Sequence, residues 1–93
     1  MSAPLAFTPG STVNIGATTS SNSATLAAGM VVRVYNAGTV PVFIKFGATA
    51  TTSDTPIPPG IVEVFTDPSG ATTVAAITAS GTATVYFTSG QGI

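Results

Sequence analysis

The chain has 93 residues and a formal net charge of −1, and only 5% of its residues are charged while 44% are hydrophobic. This length supports one domain with a single modest core, and low charge combined with high hydrophobicity argues against intrinsic disorder. Two basic side chains are too few to bind a phosphate backbone, so nucleic acid is a poor candidate partner. The absence of cysteine and histidine removes disulfides, thiolate metal sites and the usual general base.

The N-terminal segment, residues 1–11, is predicted to be an extended arm, and residues 12–93 are predicted to form a single β-sandwich domain. Two prolines interrupt regular structure in the arm, while Leu5 and Phe7 are apolar enough to need cover. Two interpretations are open: a frayed tail, or an arm in which Leu5 and Phe7 contact a neighbouring subunit.

The same segment has neither a basic start nor a continuous apolar stretch, so it predicts no signal peptide. No apolar run approaches the roughly 20 residues that a membrane-spanning helix requires. We therefore expect synthesis in the cytoplasm and no membrane partner.

Strand signals dominate the rest of the chain, because no window keeps the helical period of about 3.6 residues and short β-branched segments are separated by glycine, proline, serine and aspartate. The pattern predicts an all-β fold, an antiparallel β-sandwich or small barrel of about 7 or 8 short strands with little or no helix. The predicted strands lie near Thr12–Ala17, Ala24–Ala27, Met30–Asn36, Val40–Gly47, Ile61–Thr66, Thr73–Ala79 and Ala83–Thr88, and an edge strand in the loop at 48–60 would make an eighth.

The segment VVRVYNAGTVPVFIKFG contains both basic residues of the chain and is interpreted as a β-hairpin. Alternation places valine and isoleucine on its inner face, and its outer face carries the cluster Arg33, Tyr35, Phe43 and Lys45. In the expected register Arg33 lies opposite Phe43, within reach of a cation–π contact. This face is either a solvated surface with an incidental aromatic pair or an interaction surface, since tyrosine and arginine are enriched at binding hot spots.

Glu63, in the segment GIVEVF, is expected to point away from the core because it lies between Val62 and Val64. Its carboxylate could pair with Arg33 or Lys45 within the chain, or with a neighbouring subunit, and the sequence leaves these pairings open.

Candidate catalytic groups are few. Asp54, Glu63 and Asp67 do not have the spacing of acid–base pairs or metal-binding loops, and nothing places Lys45 beside a particular serine as a base. We predict no enzymatic activity, no cofactor and no metal site. A sugar-binding module is a further alternative, because β-sandwiches bind sugars on faces with exposed aromatic residues, although this chain has no tryptophan.

Three ordered blocks, VVRVYNAGTVPVFIKFG, TPIPPGIVEVF and VAAITASGTATVYFTSGQGI, together resemble small β-sandwich virion proteins of tailed bacteriophages. In that group a V-R-V-x-N type of strand leads into an F-I-K-F-G-like strand, a P-x-P-x-G turn opens the next strand, and a glycine-rich end closes the chain. The resemblance covers residues 30–93.

The resemblance implies a jelly roll or related sandwich and the role of a capsid decoration, or cement, protein on the outer surface of the virion, made in the cytoplasm of the bacterial host. It also implies the major capsid protein as partner and a homo-oligomer, with a trimer favoured. In that role the contact residues would be Arg33, Tyr35, Phe43 and Lys45 on one face, with Leu5 and Phe7 in the arm. A neck, tail or fibre component is the alternative, and copy number in the particle would separate the two.

Overall fold

The computed structural model describes residues 7–26, 31–66 and 72–92, and in these ranges every regular element is a β-strand. The all-β prediction is confirmed. Each of the seven predicted segments overlaps a strand, and the eighth strand occurs in the proline-containing loop. The strands are β1 (Phe7–Ala17), β2 (Asn22–Thr25), β3 (Val31–Asn36), β4 (Val42–Lys45), β5 (Thr55–Ile57), β6 (Val62–Thr66), β7 (Thr73–Ile77) and β8 (Ala83–Gly92).

The strands form two antiparallel four-stranded sheets, sheet A in the order β1-β8-β3-β6 and sheet B in the order β2-β7-β4-β5. The pairs β1 with β8, β2 with β7, β3 with β6 and β4 with β5 show that the second half of the chain runs back along the first half. Only the connection between β4 and β5 stays within one sheet, and all the others cross between sheets. This is the strand arrangement of a jelly roll, which is a double-sheet sandwich built from Greek keys.

One apolar core lies between the sheets, because each strand turns alternate residues inward. Phe87 of β8 is the largest fully buried side chain, and it lies beside Val34 of β3 in the register of sheet A. Burying a side chain of this kind contributes about 1.5–3 kcal/mol. The core consists of Ile15, Ala17, Leu26, Val32, Val34, Val42, Ile44, Ile57, Val74, Ala76, Ala83, Val85 and Phe87.

A buried asparagine joins the two sheets at the end of β3. The Asn36 side-chain amide donates to the carbonyl oxygens of Val40 at 2.8 Å and of Ile57, in sheet B, at 2.9 Å. Its Oδ1 accepts the Gly38 N–H at 2.9 Å. The Asn36 carbonyl accepts the N–H of Gly60 at 2.8 Å, and Gly60 has a φ of +75°, a conformation that favours glycine. All the side-chain hydrogen-bonding groups of this fully buried residue are thus used.

The predicted hairpin between β3 and β4 is wrong. β3 pairs with β8 and β6 in sheet A, whereas β4 pairs with β7 and β5 in sheet B. Val34 and Val42 are both fully buried, as alternation predicted. They belong to the same core but to different sheets, because a chain that crosses between sheets satisfies the same alternation as a hairpin.

β1 begins at Phe7, so residues 7–11 of the predicted arm belong to sheet A, and residues 7–9 pair with residues 90–92 of β8. The expectation that proline prevents regular structure is therefore wrong for this stretch. The register shifts between Pro9 and Thr12, and an edge strand with such an irregularity tolerates proline. Leu5 lies outside the described residues, and the contact of the arm with a neighbour stays a prediction.

Candidate interaction surface

Sheet A turns one face to the core and the other to solvent. Residues directly opposite each other on paired strands project from the same face, so the register of sheet A identifies which side chains lie together on the outside. Two rows cross this outer face, Asn14, Tyr86, Tyr35 and Val62 in one and Thr12, Thr88, Arg33 and Val64 in the next. We call these eight residues the tyrosine face.

The centre of the tyrosine face is an aromatic pair. Tyr35 and Tyr86 lie opposite each other on β3 and β8, the two inner strands of sheet A. Their ring centroids are 6.3 Å apart and their planes differ by 19°. Such a pair contributes about 0.5–1.5 kcal/mol beyond its buried area, and its position on inner strands holds the two rings in a defined place.

The exposed apolar side chains of the described residues are concentrated beside this pair. The large ones are Ile61 at 41%, Val62 at 39%, Val64 at 42% and Tyr86 at 38% exposure. Val62 and Val64 belong to β6, Ile61 immediately precedes it, and Tyr86 is in the row of Val62. Single exposed apolar residues are ordinary, but a contiguous apolar patch of this kind marks an interaction site.

Glu63 is exposed to solvent, but the side of β6 from which it was expected to project is wrong. Glu63 lies opposite Val34 of β3, and therefore projects from the core side of the exposed strand β6. The reason lies two residues further along, where Phe65 occupies the core side and packs edge to face against Phe46 with ring centroids 6.0 Å apart. Arg33 is consequently the charged residue of the tyrosine face, opposite a threonine and a valine.

The structure separates the four residues that were assigned to one predicted face. Arg33 and Tyr35 lie together on the tyrosine face. Phe43 lies opposite Ile77 in sheet B, and Lys45 follows two residues later on the same strand, so both project from the other side of the sandwich. The predicted pairing of Arg33 with Phe43 is therefore wrong, because no surface contains all four residues.

Lys45 instead borders a cleft of about 320 Å³ between the edges of the two sheets. Its neighbour Asp54 closes a turn, since its Oδ2 accepts the N–H of Thr51 at 2.7 Å. A volume of this size is at the lower end for small-molecule sites. The cleft is lined by Ile44, Lys45, Phe46, Asp54, Thr55, Phe65 and Thr66.

The part of the chain that the structure describes contains no group of three or more histidine, cysteine, aspartate or glutamate side chains able to hold a metal ion. In residues 7–26, 31–66 and 72–92 there is also no helix long and apolar enough to cross a membrane.

Sequence reasoning missed Tyr86, Asn14 and the two valines of the tyrosine face. The segment TATVYFT did carry a signal, because its alternation places Phe87 inward and Tyr86 outward.

No protein-family model, curated protein or solved structure matches this chain.

Proposed function

We propose that this protein is a structural virion component, a capsid decoration protein that attaches to the assembled shell of a tailed bacteriophage through the tyrosine face. The observation that carries the proposal is the gathering of stacked tyrosines, exposed valines and one arginine on a single face of a nearly uncharged sandwich. Interface cores are enriched in tyrosine and arginine and depleted in other charges. The resemblance of the three sequence blocks to small virion proteins supports the same role.

The jelly-roll arrangement is compatible with this role, because viral capsid proteins use it, but lectin domains and cupins use it too. Fold alone therefore does not select a function. The partner surface on the shell should be apolar opposite Val62, Val64 and the tyrosine rings, and should offer a carboxylate to Arg33. A single site on a shell protein would meet these requirements, and attachment there would need no enzymatic step.

Attachment would stabilise the shell by mass action. A protein that binds the assembled lattice and not its separated subunits adds about 2.7 kcal/mol per site when its free concentration is 100 times its Kd. Each occupied site adds its own stabilisation. A small domain bound in many copies can therefore oppose internal pressure without catalysing a reaction.

The test is co-sedimentation of the purified protein with shells from its source that lack it. The variant Tyr35→Thr/Tyr86→Thr removes both rings and keeps residues that favour strands. Because a tyrosine hot spot contributes about 2 kcal/mol or more, we expect apparent affinity to fall by at least about tenfold.

The matched control is Phe43→Thr, which removes one ring from the opposite side of the sandwich, and it should bind as the wild type does. Circular dichroism melting curves establish that both variants fold. Full occupancy of the double variant would show that the tyrosine face is not the attachment surface.

A neck, tail or fibre position remains the alternative within the virion, and the number of copies per particle separates it from decoration. A sugar-binding module is a second candidate, favoured by the tyrosine pair with Asn14 beside Tyr86 and Arg33 in the next row. Polar groups around an apolar platform are what orient a small ligand. Specific signals on a glycan array that disappear in Tyr35→Thr/Tyr86→Thr would favour this candidate over attachment to a shell.

A further inference from the structure

Strand β6 is an edge strand of sheet A, and among the described residues no strand pairs with its outer edge. It is also the strand with the exposed valines, Val62 at 39% and Val64 at 42%. An exposed apolar edge strand presents a row of main-chain hydrogen-bonding groups, which is a template for another strand.

The hydrogen-bond pattern identifies which main-chain groups of β6 face this open edge. The N–H of Asn36 donates to the carbonyl of Ile61 at 3.2 Å and the Asn36 carbonyl accepts the N–H of Gly60, so both main-chain groups of Asn36 point toward the β6 side and the carbonyl of Ile61 points toward β3. Bonded and non-bonded pairs alternate along an antiparallel ladder, and the register continues without a shift. The N–H and C=O groups that point away from β3 are consequently those of Val62, Val64 and Thr66.

We propose that a second copy of this chain pairs its own β6 with this edge, antiparallel and about a two-fold axis, so that two A sheets become one continuous sheet. With the axis at Val64, that residue faces Val64 of the partner subunit and Val62 faces Thr66 of the partner subunit. This register forms about six main-chain hydrogen bonds. It also brings the exposed valines of the two copies together on one face.

The charge of β6 favours this register of self-pairing. Glu63 is the charged residue of the strand, and with the axis at Val64 it faces Phe65 of the partner subunit. Moving the axis to Glu63 would place two carboxylates directly opposite each other, which is destabilising. An inward-pointing charge is one of the ways in which edge strands limit strand addition, and here it selects one self-pairing register over its neighbour.

This dimer does not depend on the proposed attachment to a shell. A two-fold axis perpendicular to the sheet leaves both tyrosine faces on the same side, so the dimer would present them to a partner as one bivalent surface. Because both copies use the same edge, this isologous pairing produces a dimer and leaves no edge of β6 open for a third copy. The dimer therefore differs from the trimer that the sequence resemblance implies.

The test measures the mass of the full chain by sedimentation velocity over a wide concentration range, together with amide hydrogen exchange followed by NMR. We expect the wild type to form dimers. The N–H of Val64 should be protected at high concentration and exchange freely on dilution, while the N–H of Phe65, which bonds to β3, is protected in both.

Val64→Lys places two cations opposite each other at the axis and should weaken association by at least about tenfold, whereas the matched control Val64→Thr should associate as the wild type does. A wild type that stays monomeric, a mass of three chains, or a Val64 N–H that exchanges freely in the associated protein would overturn the proposal. Hydrogen exchange of the wild type tests the proposal even if Val64→Lys fails to fold. None of these measurements tests attachment to a shell.

Discussion

Replacing Asn36 by alanine should destabilise the protein more than any other single polar truncation in the described residues. The side chain makes three hydrogen bonds, at 2.8, 2.9 and 2.9 Å, and is fully buried. Alanine leaves two carbonyl oxygens and one N–H without these partners. At about 1 kcal/mol for each lost bond, the free energy of unfolding should fall by about 3 kcal/mol, a large share of the 5–15 kcal/mol typical of a domain.

Urea denaturation followed by far-UV circular dichroism measures this change. The midpoint should fall at an unchanged slope, because the unfolded chain exposes nearly the same surface. Asn22→Ala is the matched control, since its amide also donates to a carbonyl, that of Gly16 at 3.0 Å, but at an exposed position. It should cost less than about 1 kcal/mol. Equal losses in Asn22→Ala and Asn36→Ala would refute the view that the buried amide joins the two sheets.

Gly38→Ala should lower stability by about 1–3 kcal/mol, because a Cβ there would collide with the Cβ of Ala83 and lie 2.8 Å from its Cα. Adding Ala83→Gly should recover part of the loss in a thermal melt, and additive losses would contradict the clash. Ser89→Ala should leave stability unchanged or raise it by about 1 kcal/mol, since the Ser89 Oγ is buried and has no hydrogen-bond partner within the part of the chain described. A lower melting temperature for Ser89→Ala would show that the hydroxyl is bonded.

Much of the fold was predictable because alternation records which side of a strand is apolar. It placed Val34 and Val42 inward, and both are fully buried. It could not predict which strands are neighbours, because a hairpin and a crossover between sheets bury the same residues. The turn-like segment between β3 and β4 suggested a hairpin, but the chain there passes from one sheet to the other.

The candidate surface was predictable only in part for the same reason. Arg33 and Tyr35 share a strand, so alternation alone assigned them to one outward face. Tyr86 joins them through the pairing of β3 with β8, two strands far apart in the chain whose contact leaves no local signal. On β6 the alternation was ambiguous, since VEVF has apolar residues on both sides, and packing of Phe65 against the core decided which side faces outward.

The role of a capsid decoration protein is tested most directly by the copy number of this chain in purified particles of its source, measured by quantitative mass spectrometry against the major shell protein. Decoration predicts a copy number of the same order as that of the shell protein. A handful of copies would contradict decoration and favour the neck, tail or fibres, and absence from the particles would contradict any virion role.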